Sequence, residues 1–163
     1  LPISLEKQFL VNWQSCHKTT SDFLNSTSDS ILRTKPFHSR FRSFAWEFAC
    51  LVTTRQMYIS GFMKGKIDET SACDSEKSIE LSSQLTVKTL LEETNKQIGQ
   101  IITNEKIRTV NFWGTKTDKL AVLSWLMQHE QLHYGKLILY LAQVNQKLPS
   151  SIKEMWGRSS FQN

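Results

Sequence analysis

A chain of 163 residues, 39% hydrophobic and 21% charged, has the length and composition of one globular domain, and residues 1–163 read as a single unit. Six glycines and three prolines are too few for the turns of a many-stranded β fold, and no apolar run approaches the roughly 18 residues of a membrane span. The net charge of +5 is scattered from Lys7 to Lys153 without a dense basic run, which speaks against a nucleic-acid partner and for a modestly cationic surface.

The first periodic segment runs from about Ser4 to Ser26. Leu5, Phe9, Trp13, Cys16, Thr20 and Phe23 recur at three- and four-residue steps, which is one face of a helix, and Ser4 is a suitable N-cap. A second helix is predicted from about Ser39 to Lys64, with Phe37, Phe41, Phe44, Phe48, Leu51, Arg55 and Phe62 near one stripe and Gly65 as the terminating glycine. Lys66 to Ser83 is polar and without a long period, so it reads as a loop. The third helix is predicted from Thr86 to Asn104. The fourth opens at Thr117, with Asp118 behind it, and continues to about Val144. Pro149 cannot extend it, and a short tail with Ile152, Met155 and Trp156 is expected to pack back. Four amphipathic helices in one chain predict an all-α fold, a four-helix bundle.

The sharpest local signal is His129-Glu130-Gln131-Leu132-His133. Histidines at i and i+4 project from one helix face, so both imidazoles can reach a single cation. Taken literally this is the zinc-protease pattern, in which the glutamate is the general base. The surrounding sequence lacks the further glycine and histidine spacing of metzincins, and Glu154 is the one downstream candidate for a gluzincin ligand. The plainer alternatives are hydrogen-bonded core histidines and, for Glu130, a solvated helix-face carboxylate.

The run from His129 through Tyr134-Gly135-Lys136 and Tyr140 to Leu148-Pro149 resembles the last helix of the DinB/YfiT-like family. Arg42 to Cys50, followed by Arg55, Tyr58 and Gly65, resembles its second helix. The resemblance implies a DinB-like four-helix bundle with a divalent metal, zinc first and nickel, iron or manganese next. It also implies a third histidine on the second helix, and the aligned position here holds Cys50. Cysteine ligates zinc as thiolate, so a Cys/His/His site with an open position is chemically sound. Glu47, one turn earlier, is the other candidate ligand, and Cys50 also fits as a small buried residue. His17 and His38 match no position of the pattern.

Two functional expectations follow from the resemblance. One is a metal-dependent enzyme, such as a thiol S-transferase joining a low-molecular-weight thiol to an electrophile. It would use His129, His133 and Cys50 or Glu47 as ligands, Glu130 as acid/base or supporting group, and Arg42 and Arg55 toward an anionic substrate. The other is a metal-free, stress-associated bundle acting by dimerisation or partner binding. A metallopeptidase ranks behind both. The expected partners are a small molecule and a second copy of the chain, without membrane or nucleic acid. The unpatterned start and the odd count of cysteines without CxxC spacing (Cys16, Cys50, Cys73) suggest the reducing cytoplasm.

Overall fold

A computed structural model describes residues 3–156. Its long helices are α1 (Leu5–Asn25), α3 (Phe44–Lys64), α5 (Gln84–Thr103) and α6 (Lys119–Gln143). Short helices α2 (Asp29–Leu32), α4 (Glu76–Glu80) and α7 (Ser150–Trp156) fill the connections. Each of α1 and α3 packs against both α5 and α6, which closes a four-helix bundle around one apolar core. Among the described residues no helix is long and apolar enough to cross a membrane.

The helix starts follow their caps. The hydroxyls of Ser4, Ser43 and Ser83 accept from the backbone N–H of Lys7, Trp46 and Thr86. Ser43 therefore starts α3 several residues later than the predicted Ser39, and Ser83 starts α5 slightly earlier than Thr86. Phe41 lies ahead of α3 and meets Tyr140 edge-on, while Phe37 stays 64% exposed. The helix α3 ends as predicted at Gly65, in the left-handed region at φ +77°. Ile152 in the tail is buried; the side chain of Trp156 lies outside the described residues.

Two parts of the polar connections carry structure that periodicity does not announce. The segment 66–83 contains α4, and a three-stranded sheet lies at one end of the bundle. Its strands are β1 (Lys66–Ile67), β2 (Thr109–Phe112) and β3 (Thr115–Asp118), with β1 parallel to β2 and β2 antiparallel to β3. The β2–β3 loop is Trp113-Gly114, with φ +46° and +87°, as a two-residue hairpin turn with two positive φ angles requires. Thr117 pairs with Val110 in this hairpin, so the cap of α6 is Asp118, whose Oδ1 accepts from the N–H of Leu120 at 2.8 Å and of Ala121 at 3.4 Å. Lys119, buried, donates from Nζ to the carbonyls of Ile102 and Asn104 and so satisfies the C-terminal end of α5.

The sheet leans directly on α3. A Cβ on Gly61 would sit 2.9 Å from the carbonyl oxygen of Lys66 and closer still to Ile67 Cγ1. Because one obstacle is backbone, Gly61→Ala is expected to cost about 1–3 kcal/mol, despite alanine's better helix propensity. A thermal-denaturation midpoint equal to or above wild type would contradict this close approach.

Candidate metal centre

Two helices supply the site. On α3, Glu47 and Cys50 stand one turn apart; on α6, His129, His133 and Lys136 share the facing side. The two imidazoles meet with Nε2 atoms 3.1 Å apart, and Cys50 Sγ lies 3.6 Å from His129 Nε2. The three donor atoms all fall within 4.8 Å of one another. Tetrahedral zinc with ordinary bond lengths separates two nitrogens by about 3.3 Å and nitrogen from sulfur by about 3.6 Å. The donor set therefore fits a cation with one position left open. The buried Nδ1 of His129, unlike that of His133, has no hydrogen-bond partner among the described residues.

Glu47 stands behind this set. Its side chain is almost fully buried, with Oε2 2.5 Å from His133 Nδ1 and 2.6 Å from Lys136 Nζ, and Tyr140 OH donates to Oε1 at 3.3 Å. Burial alone would raise its carboxyl pKa, but the hydrogen bonds and charges of His133 and Lys136 outweigh that and hold it below the usual range. The ionised carboxylate fixes the proton of His133 on Nδ1 and leaves Nε2 free to face His129 and Cys50, the usual outer-shell arrangement of a metal-bound histidine. The alternatives Cys50 and Glu47 thus separate by geometry: the thiol faces the donor set and the carboxylate orients it.

Of the two shifted donors, His129 stands ready for a cation, whereas the Cys50 thiol must give up its proton to bind one. Burial, with the neighbouring His133, pushes His129 down to about 4, so its ring is neutral at pH 7. Burial pushes the Cys50 thiol up to about 11, with the charge of Glu76 adding to it. A histidine whose folded pKa is depressed stabilises the fold fully above its unfolded value near 6.5 and loses that contribution as pH falls toward 4. For His129 in metal-free protein the loss between pH 7 and pH 5 is expected to be about 2 kcal/mol. His17, lowered chiefly by burial and by Arg55, adds in the same direction. Urea unfolding at the two pH values should therefore show a pH 7-to-5 drop smaller by about 2 kcal/mol in His129→Asn than in wild type; equal drops would contradict a buried neutral ring.

Glu130 is placed elsewhere. Its carboxylate is fully buried between helices, with Oε1 2.7 Å from Arg55 Nε and Oε2 2.8 Å from Arg55 Nη2, and Thr20 donates to Oε2 at 2.5 Å. It is neither solvated nor turned to the donor set, which corrects both expectations for it. Arg55 is equally engaged, donating also to the Leu91 carbonyl and lying 5.0 Å over the Trp13 ring, so it is withdrawn from any substrate. Arg42 stays exposed, its guanidinium 5.1 Å from the Trp46 ring centroid, and the Trp46 ring lies 6.2 Å from that of His133. His17 belongs to the core network through Arg55, and His38 is exposed and accepts from the Arg40 N–H; neither joins the donor set. Sequence reasoning did not single out Lys136 and Tyr140 as partners of Glu47. Their spacing of three and seven residues from His133 was the available signal.

The family model of the DinB family matches residues 4–150. No curated protein matches the chain. Among solved structures, a DinB-like protein from Bacillus cereus ATCC 10987 superposes with a TM-score of 0.59 at 19% identity, over 88% of this chain and 95% of that one, a likeness of fold. With the bundle and nine-tenths of the sequence accounted for, the chain belongs to the DinB family.

Proposed function

We propose that the protein is a metal-dependent enzyme that activates a low-molecular-weight thiol for transfer to an electrophile, with Cys50, His129 and His133 as the ligands of a divalent ion, zinc foremost. The observation that carries this reading is the convergence of Cys50 Sγ and the two Nε2 atoms within 4.8 Å, backed by a buried carboxylate on His133. A divalent ion there supplies Lewis acidity, which lowers the pKa of a thiol bound at the open position. The protein's own residues do the rest. Glu47 holds the His133 ring and its tautomer, and Lys136 neutralises Glu47. Trp46 forms an apolar wall beside His133, and exposed Arg42 over that ring offers a cation to an anionic group of the substrate. The peptidase reading lacks its general base, because the Glu130 carboxylate is bound by Arg55 in the core.

The deciding test is metal analysis of untagged protein, followed by thiol consumption in the presence of an electrophile. Near-stoichiometric metal with metal-dependent loss of free thiol supports the reading. Protein that stays metal-free after reconstitution with zinc, nickel, iron and manganese would sink it. That outcome would favour the metal-free bundle.

A further inference from the structure

The chain that follows β1 returns along α3 and carries a carboxylate to the level of the donor set. The Ala72 N–H donates to Ser60 Oγ at 2.9 Å, Gln56 exchanges two hydrogen bonds with Asp74 at 2.7 and 2.9 Å, and Ser43 Oγ donates to Glu80 Oε1 at 2.6 Å. Residues 72–80 therefore run antiparallel to α3, from Ser60 down to Ser43. Buried Ile79, and Arg33 donating to the carbonyls of Glu80, Leu81 and Ser82, fix this segment in place.

Glu76 falls between the anchors. Two extended residues carry the chain about 7 Å from Asp74, and four residues of α4 carry it about 6 Å from Glu80. Both paths end within one turn of the level of Cys50 on α3. At about 100° per residue, Cys50 also lies inside the arc of α3 that Ser43, Gln56 and Ser60 span. Electrostatics place Glu76 on the same side. After burial, its charge is the largest influence on the Cys50 thiol, ahead of Lys136 and of Glu47, one turn away on the same helix.

A thiol bound at the open position carries a proton that must leave before its sulfur can attack. The other charged groups near the donor set are already engaged. Glu47 is held by His133 and Lys136, Glu130 is closed off in the core by Arg55, and Arg42 stays protonated at any working pH. The Glu76 carboxylate is exposed, with no hydrogen bond or ion pair among the described residues. Its place in the first turn of α4 suits the helix dipole, but a helix of five residues supplies little of that.

We propose that Glu76 is the general base of the transfer reaction, an inference that rests on the thiol-activation reading of the site. The S–H bond of the incoming thiol breaks, its proton passes to the Glu76 carboxylate, and the electron pair stays on sulfur. That sulfur forms the new bond to the electrophile, whose leaving group departs with its own electron pair. Glu76, open to solvent, then hands the proton to water.

The test compares full-length wild type, Glu76→Gln and Glu76→Asp, with mercaptoethanol and chlorodinitrobenzene as the probes. Metal content is expected to be the same in all three. Turnover of Glu76→Gln should fall about 100-fold and lose the acid limb of its pH profile, while Glu76→Asp recovers part of the rate and keeps that limb. A second readout needs no metal. In metal-free protein carrying Cys73→Ser, which removes the exposed thiol, alkylation of Cys50 by iodoacetamide should run about two- to fivefold faster in Glu76→Gln, because a negative charge no longer opposes the thiolate. Equal alkylation rates would put Glu76 away from the centre and overturn the inference. Wild-type turnover and pH profile in Glu76→Gln would also overturn it and leave Glu76 a surface acid only. Wild type that takes up no metal sinks the underlying reading, and the inference falls with it; metal content tells the two failures apart.

Discussion

Glu130→Ala is expected to lower the stability of the fold by about 3–5 kcal/mol, because it leaves the Arg55 guanidinium charged and buried without its partner. Wild-type stabilities of single domains are themselves about 5–15 kcal/mol, so the variant should approach the edge of folding, with a urea midpoint lower by about 2 M. Glu130→Gln keeps the shape and removes the charge, so it gives a readable result if alanine does not fold. Replacing both partners by apolar residues (Arg55→Met with Glu130→Leu) should recover only part of the loss, since Thr20, His17 and the Leu91 carbonyl would each lose one hydrogen bond. Burial would raise the Glu130 pKa, but the charge and hydrogen bonds of Arg55 outweigh it and hold the carboxyl below its usual range. The stabilisation is therefore present at neutral pH and is lost as pH falls below that range. An acid/base catalyst at this position would behave oppositely. Stability within about 1 kcal/mol of wild type, with activity abolished, would return Glu130 to that role.

His133→Ala is expected to reduce bound metal from near one per chain to near none, since it removes a ligand and uncouples Glu47 in one step. Cys50→Ser should do nearly the same, as a hydroxyl is a poor substitute for thiolate on zinc. Glu47→Gln leaves every donor in place and disturbs only the orientation of His133, so its affinity should fall about 10–100-fold. That ordering is the signature of a Cys/His/His centre with a supporting carboxylate. If Glu47→Gln strips the metal while Cys50→Ser retains it, the two residues must exchange roles. Loading at neutral pH should also release a proton from the Cys50 thiol, which stands near 11 before binding, and none from His129, already neutral. Zinc titration in weak buffer reads this directly, and the proton should vanish in Cys50→Ser.

The four long helices were legible because each carries an apolar stripe; of the capping serines only Ser4 was read, and the starts at Ser43 and Ser83 were missed by a few residues. The sheet was not. Val110 and Phe112 alternate with polar neighbours for only four residues, and Thr117 imitates a helix cap while pairing in a strand. Its turn uses Trp113 where Asn or Asp is the usual first residue, which hid the hairpin. At the site, the spacing of His129 and His133 was sufficient to place both on one face, and the family pattern pointed to Cys50. Glu47, the other candidate, is the more buried of the two; depth made it the supporting group. Glu130 is neither the acid/base group nor the solvated carboxylate that its place beside His129 suggested. It falls on the core register Leu123, Leu126, Glu130, His133, Leu137, and Arg55 lies on the matching stripe of α3, so opposite charges in two buried stripes were the signal to read.

The small sheet has a mechanical consequence for the donor set. It joins the end of α3, at Gly65, to the start of α6, at Asp118, and so behaves as the pivot of two levers. Cys50 lies about 22 Å along one arm and His129 about 16 Å along the other. A tilt of about 3° at the pivot moves a donor at that radius by about 1 Å, enough to spoil coordination. Arg55 on α3, nearer the pivot than Cys50, grips Glu130 at the level of the histidines on α6, and the Tyr140 hydroxyl, bonded to the Arg42 carbonyl, ties the arms again on the far side. The cation's seat is thus braced on both sides, with its tolerance set by residues that never touch it.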